Sequence, residues 1–360
     1  MILHLNTAHT WRGGEQQLQY LVSGLEKRKI PQIVAGQPGS ELEKRLSSSR
    51  FFPIKMRGEW DIFCIKKIAN IIKSEKVKLI HAHTAKAHAI ALYVKLVCPD
   101  VKLIVSRRVD FHIGRNFMSR WKYINRRIDK FLTVSGKIRD ILIEDGVDPE
   151  KVITVYSGID TSRFEKRVST ASLYREFNIK KGTVIIGNVA ALVDHKDQAT
   201  LLKAVSLIPS KLKFKLFIVG EGELENDLKQ LAEALKIEDK VVFTGFRNDI
   251  PELYRFFHIF ALTSKEEGLG TSVLDAMANS LPLAVTKGGG ISEMVEEGQG
   301  GFLAEIRDSV QIARILEEFI KDPALRKKYG AFNKKYVEKF HVKNTVAKTV
   351  MIYETLLGPF

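Results

Sequence analysis

A stretch around residue 270 combines glycines, hydroxyl side chains and carboxylates at a spacing that suits a phosphorylated sugar. The apolar run at 259–263 predicts a buried strand, and good helix formers follow the stretch. A glycine loop at such a junction lets a ligand approach the backbone, and the helix start favours an anion such as phosphate. The carboxylates of Glu267 and Asp275 would repel phosphate, so we expect them to meet the hydroxyl groups of a sugar or ribose. Between them lie Gly268, Leu269, Gly270, Thr271 and Ser272.

The same residues also allow a structural interpretation. Ser272 and Asp275 have the spacing of a helix capping box, with Asp275 in the first helical turn. Glu267 would then be a solvated loop carboxylate. Glycine loops between strands and helices are common in α/β proteins, so this stretch alone leaves both interpretations open.

The composition is that of a globular chain with an uneven charge. The 360 residues are 45% hydrophobic and 28% charged, and this length predicts about two domains. No apolar run approaches the roughly 20 residues of a membrane-spanning helix, no secretion signal opens the chain, and two distant cysteines predict a reducing, cytoplasmic compartment. The net charge is +15, of which residues 1–164 carry +13. A strongly basic half indicates an anionic partner for that half.

Strand-like and helix-like segments alternate along the whole chain. This pattern predicts an α/β protein with parallel sheets and helices on both faces, in two doubly wound, Rossmann-like domains that face a central cleft. We expect an N-terminal domain at 1–164 and a C-terminal domain at 165–340, with a last helix at about 341–360 packing back on the first. Ligands of such sheets bind at the carboxyl ends of the strands. In the first domain these ends carry Gly13, Gly14, His83, Arg107, Arg108 and Ser135.

One strand of the first domain carries two histidines. We interpret His81 and His83 as pointing to opposite faces, so that only His83 reaches the ligand side. We find neither a histidine cluster nor an acidic pair with the spacing of a metal site, and we expect no metal.

The ordered set of short motifs resembles the family-four retaining glycosyltransferases of the GT-B fold. The most specific part is Glu267-Gly-Leu-Gly with Asp275-Ala-Met-Ala eight residues further on. Each motif alone is weak, but the ordered set covers almost the whole chain. The others are Trp11-x-Gly13-Gly14, Tyr156-Ser-Gly158-Ile-Asp160, Leu192-x-x-x-Lys196-Asp, Val219-Gly-x-Gly222 and Gly288-Gly-Gly-Ile-Ser-Glu293.

The resemblance implies a metal-independent hexosyltransferase that needs no cofactor besides its donor. It would move a sugar from a nucleoside-diphosphate sugar to an acceptor hydroxyl and keep the anomeric configuration. The donor would lie on the second domain and the acceptor mainly on the first. The sequence does not specify the base, the sugar or the acceptor.

The resemblance also assigns roles to single residues. Glu267 would contact the donor sugar and Asp275 the ribose, while Lys196 would neutralise the diphosphate. Gly14, next to Gly13, would close over the phosphate from the other domain. The remaining donor contacts would be the backbone of Gly268, Leu269, Gly270, Thr271 and Ser272, and Arg247 at the nucleobase.

Three positions depart from the family pattern. Asp275 stands where the family usually has Glu, which puts its ribose contact in doubt. Ala191 stands where the family usually has Arg, so one cation is missing from the diphosphate site. Arg108 stands where the family often has a histidine, which makes His83 the nearest polar group for the sugar. The catalytic candidates are therefore Glu267, Lys196, His83 and Arg108, and the missing cation could be supplied by His195, Arg107 or Arg108.

Residues 107–130 combine cations with aromatic rings and contain only two carboxylates. Either this segment is a solvated charged helix, or it lies on an anionic membrane surface with rings at headgroup level and cations on lipid phosphates. Such a peripheral surface needs no spanning helix. The acceptor would then be lipid-linked and anionic, for example a lipopolysaccharide core or another envelope glycolipid. The segment contains Arg107, Arg108, Arg115, Arg120, Lys122, Arg126, Arg127 and Lys130, with Phe111, Phe117, Trp121 and Tyr123.

Other functions remain as alternatives. Ala191 allows a catalytically impaired GT-B protein that only binds nucleotide sugars, and a glycosyltransferase with a soluble acceptor is equally compatible with the motifs. The Glu267 to Asp275 motif disfavours another GT-B enzyme such as a sugar-nucleotide epimerase. The high isoelectric point would suit nucleic acid, but no nucleic-acid-binding motif accompanies it, so we expect no such partner.

Overall fold

A computed structural model of the chain describes residues 1–46, 50–114, 117–165 and 169–360. The chain divides into two compact units, which we call unit 1 (Met1–Gly158 with Val342–Phe360) and unit 2 (Ile159–His341). The first boundary therefore lies six residues before the predicted one at 164. The last segment of the chain belongs to unit 1.

Unit 1 contains a parallel sheet of seven strands in the order β3-β2-β1-β4-β5-β6-β7. Its central strands are apolar runs buried on both faces, as expected when helices cover a parallel sheet on both sides. The strands are β1 Ile2–Leu5, β2 Gln32–Gly36, β3 Phe51–Pro53, β4 Leu79–Ala82, β5 Lys102–Arg107, β6 Lys130–Thr133 and β7 Val152–Thr154. The helices are α1 Gly13–Lys27, α2 Glu41–Arg45, α3 Ile62–Ser74, α4 Ala85–Val97, α5 Phe117–Tyr123 and α6 Gly136–Glu144.

Unit 2 contains a parallel sheet of six strands in the order β10-β9-β8-β11-β12-β13. Its apolar strand faces and the inner faces of its helices form one hydrophobic cluster. The strands are β8 Val184–Val189, β9 Phe214–Val219, β10 Val241–Gly245, β11 Ile259–Leu262, β12 Leu283–Thr286 and β13 Gly301–Ala304. The helices are α7 Ala171–Glu176, α8 Gln198–Ser206, α9 Glu225–Ala234, α10 Ile250–Phe256, α11 Thr271–Ala278, α12 Ser309–Lys321 and α13 Pro323–Tyr336.

The last helix, α14 Val342–Leu357, packs on α1 within unit 1. Gly24 makes the close approach possible, because a Cβ at this position would lie 2.7 Å from the Val346 side chain. Glycine costs roughly 1 kcal/mol inside a helix, and the packing of α14 on α1 offsets that cost. The Tyr353 hydroxyl of α14 is 2.6 Å from Nδ1 of His81 in the sheet.

Each sheet reverses its strand order once, between β1 and β4 in unit 1 and between β8 and β11 in unit 2. Loops diverge from such a switch point and leave a crevice in which ligands of α/β sheets bind. The loops after β1 and β4 carry Gly13, Gly14 and His83, and those after β8 and β11 carry Lys196 and Glu267. Among the described residues, no helix combines the length and apolar character needed to cross a membrane.

Candidate active site

The loop between β11 and α11 presents bare backbone at the start of a helix. Gly270 is the N-cap residue, with φ +82° in the left-handed region, and no side chain caps the helix. The capping-box interpretation is wrong, because Ser272 is already the second helical residue. Asp275 is the fifth, one turn beyond the start rather than in the first turn. The N–H groups of Thr271 and Ser272 are therefore available to an anion.

Lys196 and Glu267 meet at the switch point of unit 2. The Lys196 ammonium donates a short hydrogen bond to Oε1 of Glu267, which also accepts a bond from the Ser264 hydroxyl at 3.0 Å. The side chains are only 18% and 10% exposed, so solvent screens the pair weakly. Lys196 ends a short 3₁₀ turn, Asp194–Lys196, and the next residue, Asp197, takes a left-handed conformation with φ +48°. Two loops from neighbouring strands thus bring one cation and one anion together.

Several motif glycines of unit 2 serve packing. A Cβ at Gly288 would lie 2.1 Å from the carbonyl oxygen of Ser264, and one at Gly220 would lie 2.1 Å from that of Ala190. Side chains at either position would push apart the loops that hold Glu267 and Lys196. These glycines contribute to the site by letting its loops lie close together.

Asp275 lies in the second turn of α11, and its side chain is 18% exposed. Burial raises the pKa of its carboxyl to about 6, and the positive charge of Arg163 partly opposes that rise. The Arg163 guanidinium is 3.7 Å from the Asp275 carboxylate. The sequence analysis missed Arg163, because its proximity depends on the 3₁₀ turn Thr161–Phe164 at the start of unit 2.

Arg247 already has strong partners in unit 2. Its guanidinium donates to both carboxylate oxygens of Asp249 and to Glu176, with the shortest bonds at 2.6 Å. These bonds raise the pKa of Arg247 further above its usual range. The predicted contact with a nucleobase stays a prediction, and it would have to coexist with two ion pairs. Ala191 is exposed.

At the switch point of unit 1, a chain of hydrogen bonds leads from the sheet to Arg108. The Arg108 guanidinium is 3.4 Å from Nδ1 of His83, and Nε2 of His83 is 3.0 Å from Nδ1 of His4. Nε2 of His4 is 3.1 Å from Oε1 of Gln32, whose amide donates to the Val22 carbonyl. Since the guanidinium can only donate, each histidine accepts on one nitrogen and donates from the other.

The two histidines of β4 point the same way, so the predicted opposite faces are wrong. They are two residues apart, the period of a strand, and their rings lie 4.0 Å apart. The expectation of no histidine cluster is also wrong, since ligand atoms of His4, His81 and His83 lie within 4.8 Å of one another. No motif in the sequence indicates this cluster, because His4 joins it through the pairing of β1 with β4. His81 is bonded to Tyr353 and Ser106, so all three rings already have hydrogen-bond partners.

Burial keeps these imidazoles neutral. It lowers the pKa of His4 to about 4, and it lowers the pKa of His81 and His83 well below the usual range. The neighbouring rings and Arg108 lower the last two further.

The glycine loop of unit 1 opens α1. Glu15, in the first turn, accepts from the Asn6 amide at 3.1 Å and from the backbone N–H of Arg12 at 3.2 Å. A Cβ at Gly14 would meet only the Arg108 side chain, at an ordinary 3.6 Å. Internal packing therefore does not require glycine at position 14.

The basic segment contains both buried and exposed cations. Arg107 is 4% exposed and donates to the carbonyls of Val109 and Phe111 and to the Tyr123 hydroxyl, so it has a structural role within unit 1. Arg120, Arg126 and Arg127 are exposed. Arg115, which we also assigned to this segment, lies outside the described residues.

An exposed apolar group that the sequence analysis missed lies beside this segment. Trp60, Ile62 and Phe63, at the start of α3, are 61–81% exposed, and Phe117 of α5 is 81% exposed. The Lys122 ammonium is 2.6 Å from the Glu59 carboxylate, and this ion pair links the two regions. The available signal in the sequence was the pair of aromatic residues, Trp60 and Phe63, at the start of α3.

Two family models match the chain in succession. The model described as Glycosyltransferase Family 4 matches residues 11–163, and the model described as Glycosyl transferases group 1 matches residues 171–336. The putative glycosyltransferase EpsD of Bacillus subtilis is 32% identical over 309 residues, covering 81% of this chain and 80% of that protein. The chain therefore belongs to this family of glycosyltransferases, and the resemblance seen in its motifs is confirmed.

Other relatives show how widely acceptors differ. The N-acetyl-alpha-D-glucosaminyl L-malate synthase of Bacillus anthracis is 28% identical over 305 residues, which cover 83% of this chain and 80% of the synthase. An Escherichia coli enzyme named UDP-Gal:alpha-D-GlcNAc-diphosphoundecaprenol alpha-1,3-galactosyltransferase is 23% identical over 310 residues, covering 81% of this chain and 79% of that enzyme.

The fold has close structural counterparts. The crystal structure of Anabaena HepE in complex with UDP and glucose matches with a TM-score of 0.85 over 98% of this chain and 99% of that one, at 20% identity. The two parallel sheets with their alternating helices are those of the GT-B fold, as predicted.

Proposed function

We propose that this glycosyltransferase moves a hexosyl group from a nucleoside-diphosphate sugar to a hydroxyl of a lipid-linked envelope glycan, such as a lipopolysaccharide core, with retention of configuration. The donor binds unit 2 and the acceptor binds mainly unit 1. The enzyme works from the cytoplasmic face of the membrane as a peripheral protein.

The observation that carries the donor assignment is the Lys196–Glu267 ion pair beside the uncapped start of α11. When a diphosphate binds the helix start, Lys196 turns to the phosphate oxygens and stabilises the negative charge that grows on the leaving group. Glu267 is then released to bind the hydroxyl groups of the sugar. The pair keeps both groups positioned and mutually neutralised before the donor arrives.

Asp275 completes the donor site at the ribose. Its raised pKa means that the carboxyl is partly protonated near pH 6, whereas accepting two hydroxyl hydrogens requires the carboxylate. Donor binding therefore favours the ionised form. The relatives named for UDP and UDP-galactose make uridine the first base to test.

A thermal-shift screen of nucleotide sugars tests the donor assignment. A true donor at about 100 times its Kd adds about 2.7 kcal/mol to the free energy of unfolding. Released nucleoside diphosphate in the presence of an envelope glycolipid extract then measures transfer. A stabilising nucleotide sugar that is never turned over would instead identify the impaired binding protein.

The acceptor assignment rests on the exposed surface of unit 1. Trp60, Ile62, Phe63 and Phe117 offer apolar side chains to a headgroup layer, and the neighbouring cations include Arg120. Each Lys or Arg near an anionic surface contributes about 1 kcal/mol. Lipid phosphates complement this combination, and a lipid-linked acceptor would be met at the same surface.

Vesicle binding tests the membrane proposal. Binding should rise with the fraction of anionic lipid and fall with salt, since exposed charges are screened over about 10 Å at 0.1 M. The triple charge reversal of Arg120, Arg126 and Arg127 to Glu should release the protein without changing its affinity for the donor. A control reverses three exposed lysines of unit 2, Lys180, Lys181 and Lys211, and should bind vesicles as the wild type does. Equal binding to neutral and anionic vesicles would contradict the proposal.

A soluble acceptor is the second candidate. The Bacillus anthracis relative is named for a small dicarboxylic acid, L-malate, as its acceptor. Unimpaired transfer to a soluble acid by the charge-reversal variant, with no transfer to glycolipid by the wild type, would favour this candidate.

A further inference from the structure

A cavity in unit 1 combines an uncompensated cation with a helix start. Its volume is about 220 Å³, several times the roughly 30 Å³ that one water molecule occupies in the liquid. No carboxylate is found among the described residues that line it. The lining residues include His83, Thr84, Ala85, His88 and Arg108.

Arg108 is the cation. Among the described residues, its buried Nε has no hydrogen-bond partner, and its guanidinium hydrogen-bonds only to the neutral ring of His83. Burial lowers the pKa of Arg108 to about 10, and the charge of Glu15 only partly opposes this. Glu15 itself is committed to Asn6 and to the backbone of Arg12. Among the described residues, no carboxylate lies within ion-pair distance of Arg108. Arg108 is partly buried, and a partly buried cation without a counter-ion is costly. A bound anion reduces that cost.

The histidine chain behind Arg108 fixes its position. A guanidinium donates only, so Nδ1 of His83 must accept, and the remaining nitrogens transmit this direction through His4 to Gln32. Neutral imidazoles in this order hold the Arg108 guanidinium in place without cancelling its charge. Acidic residues in the same places would have neutralised Arg108 within the protein.

The start of α4, which also lines the cavity, favours an anion too. Thr84 caps α4, a helix of 13 residues, and the helix then starts at Ala85 beside the cavity. The first N–H groups of a helix carry partial positive charge and lack partners inside the helix. His88, in the first turn, is 1% exposed and lines the cavity, and neither ring nitrogen makes a hydrogen bond. The backbone of Lys122 faces this ring without reaching hydrogen-bond geometry.

We propose that this cavity, between Arg108 and the start of α4, binds an oxyanion of the acceptor, a phosphate or a carboxylate carried near the accepting hydroxyl. The inference rests on the proposed function in taking unit 1 as the acceptor side. It adds that an acceptor lacking the anionic group is a poor substrate.

Calorimetric titration of the full-length protein with inorganic phosphate and with malonate, without donor or lipid, tests the subsite. In the wild type, the Arg108 site should bind phosphate and malonate in competition, besides any phosphate that the donor site of unit 2 binds, and the anion that binds more tightly identifies the class of the acceptor's anionic group. Arg108→Met keeps the length of the side chain and removes its charge, so affinity should fall about tenfold or more, the scale of a lost charged hydrogen bond. Arg28→Met removes an exposed arginine of the same unit and should leave phosphate binding unchanged.

Two further variants keep the test decisive. Arg108→Lys retains the charge without the fork and should bind phosphate with intermediate affinity, which gives a readout if Arg108→Met does not fold. Lys196→Ala should leave this phosphate site intact, because it alters the donor side. Phosphate binding that is lost in Lys196→Ala and kept in Arg108→Met would overturn the proposal, as would unchanged binding in both Arg108 variants. Absence of turnover with every nucleotide sugar would contradict the proposed function but leave these titrations as they are.

Discussion

The two switch points of the molecule handle charge in opposite ways. In unit 2, Lys196 and Glu267 neutralise each other across two loops before any ligand is present. In unit 1, Arg108 is held by a chain of neutral histidines, and its charge has no partner among the described residues. The first arrangement suits a ligand that offers both phosphates and hydroxyl groups, because each group of the pair gains a new partner. The second arrangement suits an anion alone.

The largest effect expected from this comparison concerns Lys196. Lys196→Ala removes a cation where Ala191 already leaves one fewer, so turnover should fall on the order of 10²-fold, as for other single electrostatic donors. It also leaves Glu267 as a poorly screened carboxylate. Turnover measured with saturating donor checks the prediction, and a loss below about threefold would make Lys196 an ordinary surface lysine. Activity should survive EDTA in both proteins.

The neutral histidines of unit 1 predict a dependence of stability on pH. Their folded pKa values lie below the usual value, so the unfolded chain binds more protons as pH falls below about 6.5. Stability is therefore fully present above that pH and decreases as the pH falls towards the folded pKa values, by about 1 kcal/mol per pH unit for each histidine. All three tryptophans, Trp11, Trp60 and Trp121, lie in unit 1. Urea unfolding followed by tryptophan fluorescence thus measures this unit.

His88 offers the sharpest variant for that measurement. Burial lowers its pKa to about 3. His88→Leu should therefore reduce the pH dependence of the free energy of unfolding between pH 6.5 and 5 by the contribution of one histidine. His9→Leu changes an exposed histidine of the same unit and should keep the wild-type slope. A wild-type free energy of unfolding that does not change with pH over this range would contradict the neutral state of the buried histidines.

Asp275, in unit 2, predicts a weaker dependence on pH. Because its folded pKa is about 6, affinity for a nucleotide sugar should fall as pH drops below 6, by at most about tenfold per pH unit. Asp275→Asn should bind more weakly at pH 8 and show no such fall. Isothermal titration at pH 8 and pH 5 checks this prediction. A wild-type affinity that is the same at both pH values would show that Asp275 does not bind the ribose.

The smallest effect is expected for Asp275→Glu. The longer side chain restores the residue that the family usually carries and reaches further from the same helix turn. With no capping box to disturb, we expect normal folding and equal or slightly tighter donor binding in the same titration. A loss of more than about 1 kcal/mol of stability, the usual size of a lost cap, would show that the shorter side chain is needed for packing.

The sequence predicted well what is local. The alternation of strands and helices, the glycine loop before α11 and the last helix from about residue 341 depend on neighbouring residues, and the structure has them all. The pairing of Lys196 with Glu267 was not stated, although both were assigned to the same ligand. The loops that carry Lys196 and Glu267 lie close together because β8 and β11 are neighbours in the sheet. Neither motif specifies this strand order.

Contacts that depend on strand order or on distant helices were beyond the sequence. His4 meets His83 only because β1 lies beside β4. Tyr353 reaches His81 only because α14 returns to unit 1. Arg247 was assigned to the nucleobase by analogy, yet it also binds Asp249, two residues further on, and Glu176, which only tertiary packing brings near.

The central claim, that the switch point of unit 2 is the donor site of a glycosyltransferase, is tested most directly by comparing Glu267→Gln with Glu266→Gln. The two substitutions remove one negative charge each from adjacent residues of one loop, and Glu266 is exposed. Turnover and affinity for the nucleoside diphosphate are measured for both. The account predicts that Glu267→Gln loses turnover by about 10²-fold or more with near-normal diphosphate affinity, while Glu266→Gln matches the wild type. Loss of diphosphate binding with normal turnover in Glu267→Gln would contradict it.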